Sequence, residues 1–126
     1  QNGVSGATSL GSVTVYQLFA VTVVNDGGNK YFLDGSNQTG SALTLTEGST
    51  YRFDQSHSSN SGHPLRFSTT SNGTHGGGSE YTTGVTTAGT PGNSGAYTQI
   101  TVAVGAPTLY YYCTNHSGMG GQANTP

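Results

Sequence analysis

The apolar residues of this chain come in short alternating runs, and no run keeps a helical period of useful length. "YTQITVAV" (97–104) alternates at Ile100, Val102 and Val104, and "TLYYYC" (108–113) sets Leu109, Tyr111 and Cys113 on one face. A period of two buries one face of a strand and leaves the other to solvent. Between the runs stand Gly, Asn, Asp and Ser, the residues that turn a chain, and Gly alone contributes 21 of the 126 residues. Several short strands with turn signals between them predict an all-β domain, a β-sandwich.

The runs divide the chain as follows. Residues 1–11 are Gly- and Ser-rich and read as a lead-in or linker; residues 12–126 read as a single domain. "SVTVYQLFAVTVV" (12–24) is the most apolar segment and reads as a bulged strand or two abutting strands. "NDGGN" (25–29) is a turn, and "KYFLDG" (30–35) a short strand. Within 42–56, Leu43 and Leu45 share one face; after Glu47 and Gly48, Tyr51 and Phe53 share another. "HPLRFS" (63–68) is a short strand whose second residue is Pro64. Residues 69–96 carry few apolar side chains and read as one long loop.

Charge excludes several functions. Lys, Arg, Asp and Glu make up 6% of the chain, and the formal net charge is −2. Lys30, Arg52 and Arg66 are too few to track a phosphate backbone, so nucleic acid is excluded as a partner. No stretch reaches the roughly 18 to 20 apolar residues of a membrane span. No Ser-His-Asp signature, P-loop or HExxH motif is present, and four histidines are too few for a copper oxidase, so the chain reads as a non-enzyme. A polar but nearly uncharged surface suits an extracellular, periplasmic or virion-surface protein. One cysteine forbids an intrachain disulfide.

That cysteine stands in "YYYCTNHSGMGG" (110–121) together with the only methionine of the chain. Cys113, His116 and Met119 follow the pattern Cys-x2-His-x2-Met. A thiolate, an imidazole and a thioether form a soft-to-borderline ligand set that suits copper. Cys113 would end a strand on its core face, and Gly118, Gly120 and Gly121 would let the following turn wrap an ion. A second histidine has to come from elsewhere. His63, at the start of a strand, is the best placed; His57 and His75, in Ser- and Gly-rich loops, compete with it.

"YYYCTNHSGM" resembles the copper loop of the cupredoxins, in particular the short-loop amicyanin- and plastocyanin-like class. "GHPLRF" is similar to that family's upstream histidine segment, with an aromatic residue, Phe67, four positions after His63. The resemblance spans roughly residues 42–119. It implies a Greek-key β-sandwich and a type 1 mononuclear copper site, with His63, Cys113 and His116 as equatorial ligands and Met119 as a weak axial one. More loosely, "SNSGHPLRFSTTSNGTHGGG" looks like cupredoxin-like modules of surface and phage-appendage proteins of marine bacteria.

Two features depart from that family. Its members follow the axial methionine with an apolar closing strand, and "GGQANTP" (120–126) has no such pattern. The strand is therefore expected from chain beyond Pro126, from residues 12–24, or from a neighbouring chain. The long Gly-rich loop is the second departure; it either covers the site or faces outward. Two functions follow. One is copper binding with one-electron transfer to a redox partner protein. The other is a structural or adhesive module of a filament, appendage or surface layer, packed against copies of itself, in which the metal only stabilises.

Overall fold

A computed structural model of the protein describes residues 15–37 and 41–126. The lead-in expected over residues 1–11, and residues 12–14 of the first apolar run, lie outside the described residues. Among the described residues, strands β1 (Gln17–Asn25), β2 (Asn29–Leu33), β3 (Ser36–Asn37), β4 (Leu43–Thr44), β5 (Thr50–Asp54), β6 (Leu65–Ser68), β7 (Glu80–Tyr81), β8 (Val85–Ala88), β9 (Tyr97–Thr101), β10 (Leu109–Cys113) and β11 (Gly121–Asn124) form two sheets. The first has the order β3-β2-β1-β5-β9-β8 and the second β4-β11-β10-β6-β7. Both are mixed, because β1 runs parallel to β5 and β11 parallel to β4. The predicted all-β sandwich is the fold observed. No helix among the described residues is long and apolar enough to cross a membrane.

Alternation places the core between the sheets. Tyr51 and Phe53 of β5, Leu65 and Phe67 of β6, and Leu109, Tyr111 and Cys113 of β10 are all buried in one cluster. Phe53 meets Phe67 edge-on across the two sheets, ring centroids 5.4 Å apart, and Phe19 stacks on Phe53 at 5.0 Å. Each such side chain contributes roughly 1.5–3 kcal/mol by leaving water. From Gln17 onward β1 is one unbroken strand with Val21 buried and Leu18 and Val24 exposed on its outer face.

Three expectations need correction. The closing strand lies within the chain itself and is built from the segment that looked unfit for it. β11 pairs antiparallel with β10, Leu109 opposite Ala123 and Tyr111 opposite Gly121, and parallel with β4, Ala123 opposite Leu43. Only Ala123 has to face the core, where it is fully buried, so the strand stands on backbone hydrogen bonds and needs no apolar alternation. The described part of the 12–24 run is not its substitute, since β1 sits in the other sheet between β2 and β5.

Secondly, the long loop over 69–96 contains β7 and β8 and a 3-10 turn at Gly73–Gly76. Both strands are short edge strands, and neither needs more than a partly buried face. Thirdly, Val104 does not continue the inward face of β9 but is 86% exposed. The chain leaves β9 after Thr101 and turns, with Ala106 N donating to Ala103 O at 3.1 Å and Gly105 N to Glu47 Oε2 at 2.8 Å.

Gly120 enters β11 so close to β10 that a Cβ there would overlap the Tyr111 carbonyl oxygen. Backbone on backbone cannot give way by a rotamer change. Gly120→Ala is therefore expected to lower stability by about 1–3 kcal/mol, the range for overpacking, as a shift of the denaturant midpoint. An unshifted midpoint would show that β11 is not held against β10.

Candidate metal centre

Two strand ends bring the ligand residues together. β10 and β6 are antiparallel with Cys113 opposite Leu65, so the chain arriving at β6 and the chain leaving β10 share one end of the second sheet. His63 stands two residues before Leu65, and His116 three residues after Cys113. The Cys113 sulfur lies 3.7 Å from His63 Nδ1 and 3.7 Å from His116 Nδ1. The three donor atoms all lie within 4.8 Å of one another. The imidazole rings are tilted at 44° with centroids 4.6 Å apart. Cys113 is fully buried, His63 half-buried and His116 exposed.

These separations can be tested against an ion. A sulfur about 2.3 Å and an imidazole nitrogen about 2.0 Å from one centre stand about 3.7 Å apart at a planar three-coordinate angle, and about 3.5 Å apart at a tetrahedral one. The two observed separations, 3.7 Å each, lie close to what one ion shared by sulfur and nitrogen would set. The cluster thus has the composition and spacing of a metal site. Met119, the fourth expected ligand, is buried in the same cluster of side chains as Cys113.

The other two histidines do different work. His57 Nδ1 caps the 3-10 turn Ser58–Asn60, accepting from Ser59 N at 3.1 Å. His75 Nε2 lies 2.8 Å from the Cys113 carbonyl oxygen, so it touches the backbone of the cysteine and not its sulfur. Its ring stands edge-on to Tyr112, with centroids 6.3 Å apart. Tyr112 points away from the core yet is buried, because Gly73 packs flat on its ring and leaves no room for a Cβ. The first part of the Gly-rich segment therefore covers the outer face of β10 behind the cysteine.

The ligand turn is held on several sides. Asn72, in the left-handed conformation with φ 64°, donates from Nδ2 to Ser117 Oγ at 2.7 Å and accepts at Oδ1 from Gly118 N at 2.9 Å. Lys30 Nζ donates to Gly118 O at 2.9 Å, and Tyr31 N to Met119 O at 2.9 Å. Asn115 Nδ2 donates to Gly62 O at 2.9 Å, tying the turn to the segment before His63. Sequence reasoning passed over Asn72, Lys30 and Asn115. Their role depends on contacts 46, 88 and 53 residues away along the chain, which no local pattern carries.

No protein-family model and no curated protein matches the chain.

Burial, and secondarily the neighbouring His116, hold the His63 imidazole below its usual pKa of 6.5. In the unfolded chain His63 takes up its proton near that value, whereas the folded metal-free protein resists protonation to lower pH. The unfolded state then binds more protons, so stability falls as pH drops through about 6.5, and this contribution vanishes above it. An NMR titration of the metal-free protein is expected to give a His63 midpoint below that of an unstructured histidine, with denaturant stability declining over the same window.

Asn72→Gly keeps the left-handed backbone but removes both side-chain bonds to the turn. Each bond is worth about 0.5–1.5 kcal/mol. The Gly118 amide is expected to exchange with solvent faster in this variant, while the amides of β5 and β9 keep their protection.

Proposed function

We propose that the protein is a cupredoxin-like module that binds a single copper ion and passes electrons one at a time. His63, Cys113 and His116 serve as its principal ligands and Met119 as a weaker fourth. The observation that carries this reading is the pair of equal 3.7 Å sulfur–nitrogen separations around a buried thiol. Two imidazoles and one thiolate, with a thioether nearby in the chain, are a donor set that suits copper better than zinc, which wants four nitrogen or sulfur donors. Copper held there supplies a one-electron couple whose potential responds to the thioether and to burial of the sulfur.

The residues of the chain divide that task. Cys113, fully buried, keeps its sulfur from solvent and from oxidants. His63 is held from the core side. His116, exposed at the tip, is the ligand that a redox partner protein can approach. Hydrogen bonds to the turn from Asn72, Lys30 and Tyr31 keep the donors in place with little rearrangement between oxidation states. The competing reading, a structural or adhesive module of a filament or surface layer, loses one of its motives, the missing closing strand, because β11 closes the second sheet within the chain.

Cu(II) added to the purified, metal-free protein is expected to produce an intense visible band from sulfur-to-copper charge transfer, saturating at one equivalent. Cys113→Ser should abolish the band while leaving the fold intact by circular dichroism. A wild-type protein that stays colourless with excess Cu(II) would sink the copper reading.

A further inference from the structure

Tyr31 of β2 has no exposed surface and lies on the first sheet, opposite the sheet that carries the ligands. It nevertheless touches both ligand-bearing segments. Its backbone N–H donates to Met119 O at 2.9 Å, and its hydroxyl donates to His63 O at 2.7 Å.

The backbone of His63 has no freedom left beside this contact. Its N–H donates to Asn60 O at 2.8 Å. Its carbonyl accepts a second bond, from Gln55 Nε2 at 2.7 Å, and Gln55 Oε1 accepts from Leu65 N at 3.0 Å. Gln55 and Asn60 are themselves buried and bonded to each other at 3.1 Å, and Asn60 Nδ2 donates to Val21 O at 2.8 Å. Pro64 follows, which has no N–H to offer and confines His63 to an extended conformation. With both backbone groups of His63 engaged, the imidazole retains only its own two torsions. The direction of its Cα–Cβ bond is set by where the carbonyl is pinned.

We propose that Tyr31 is the positioning residue of this centre: by holding the His63 carbonyl, its hydroxyl fixes where the His63 imidazole stands relative to the Cys113 sulfur. The consequence for metal binding rests on the copper reading above; the positioning itself does not. Groups that orient a metal ligand from behind are worth about 10–100-fold in affinity.

Tyr31→Phe keeps the ring and the backbone bond to Met119 and removes only the hydroxyl. Tyr51→Phe serves as control, since it removes a core hydroxyl bonded to Thr46 N. Two readouts are taken: the His63 ring resonances of the metal-free protein by NMR, and Cu(II) affinity with the visible band shape. Tyr31→Phe is expected to shift and broaden the His63 ring signals, to weaken Cu(II) binding about 10–100-fold and to change the relative band intensities, while Tyr51→Phe moves none of these. His63 signals that coincide with wild type in Tyr31→Phe overturn the proposal, as does an unchanged Cu(II) affinity and band shape. If the wild type binds no Cu(II) but Tyr31→Phe still moves the His63 ring, the copper reading fails and the positioning role stands. Should Tyr31→Phe not fold, the wild-type protein is read instead by NMR: a slowly exchanging Tyr31 hydroxyl proton is expected, and a hydroxyl proton that exchanges as freely as that of an exposed tyrosine overturns the proposal.

Discussion

The antiparallel register of β6 against β10 is the constraint on which the candidate centre depends. Tyr111 faces Phe67 and Cys113 faces Leu65, all four buried. Because side chains alternate, a slip of one residue would turn Cys113 outward and carry Tyr112 into the core. Leu65, Phe67, Leu109 and Tyr111 each contribute roughly 1.5–3 kcal/mol on the inner face, so the slipped pairing is strongly disfavoured. The position of the thiol is thus decided by apolar packing several residues away from it. His63 follows from the same register: two residues before Leu65, it leaves the sheet at the end where the cysteine turn begins.

The two sheets then contribute unequally. The second carries Cys113 at the end of β10 and lets His63 and His116 extend beyond the strand ends. The first supplies no ligand but reaches across from β2, with Lys30 bonded to Gly118 O and Tyr31 bonded to Met119 O and His63 O. Behind β10, the 3-10 turn Gly73–Gly76 covers Tyr112, and His75 meets the Cys113 carbonyl. The ligand turn is therefore enclosed by structure from both sheets and from the segment between β6 and β8, while the His116 side remains open.

Legibility in the sequence followed the same division. Alternation in "TLYYYC" and "HPLRFS" carried the inward faces of β10 and β6, and spacing carried Cys113 and His116. His63 was recoverable against His57 and His75 because it stands at the start of a strand, whereas they lie in Ser- and Gly-rich stretches. The closing strand was not legible: β11 has one core-facing alanine, and its pairing is a property of backbone geometry that side-chain patterns do not report. β7 and β8 escaped for a related reason, being edge strands whose exposed faces are as polar as a loop. Tyr31 read as one more strand aromatic. Nothing near it in sequence tells that its hydroxyl ends at a carbonyl 32 residues away.

The bracing groups share one chemical trait. With three Lys and Arg and five Asp and Glu in the whole chain, the backbone of the site is held almost wholly by neutral donors and acceptors: the amides of Gln55, Asn60, Asn72 and Asn115 and the hydroxyl of Tyr31. Neutral hydrogen bonds do not titrate over the physiological range, and salt screens them far less than ion pairs. Lys30 on Gly118 O is the one charged brace among these, and it donates to a carbonyl, with no carboxylate to be screened from it. These neutral braces therefore respond little to pH and ionic strength. In the donor atoms, by contrast, a proton on an imidazole competes directly with an ion for the same nitrogen. A site built this way separates geometry, which the fold holds constant, from occupancy, which solution conditions set.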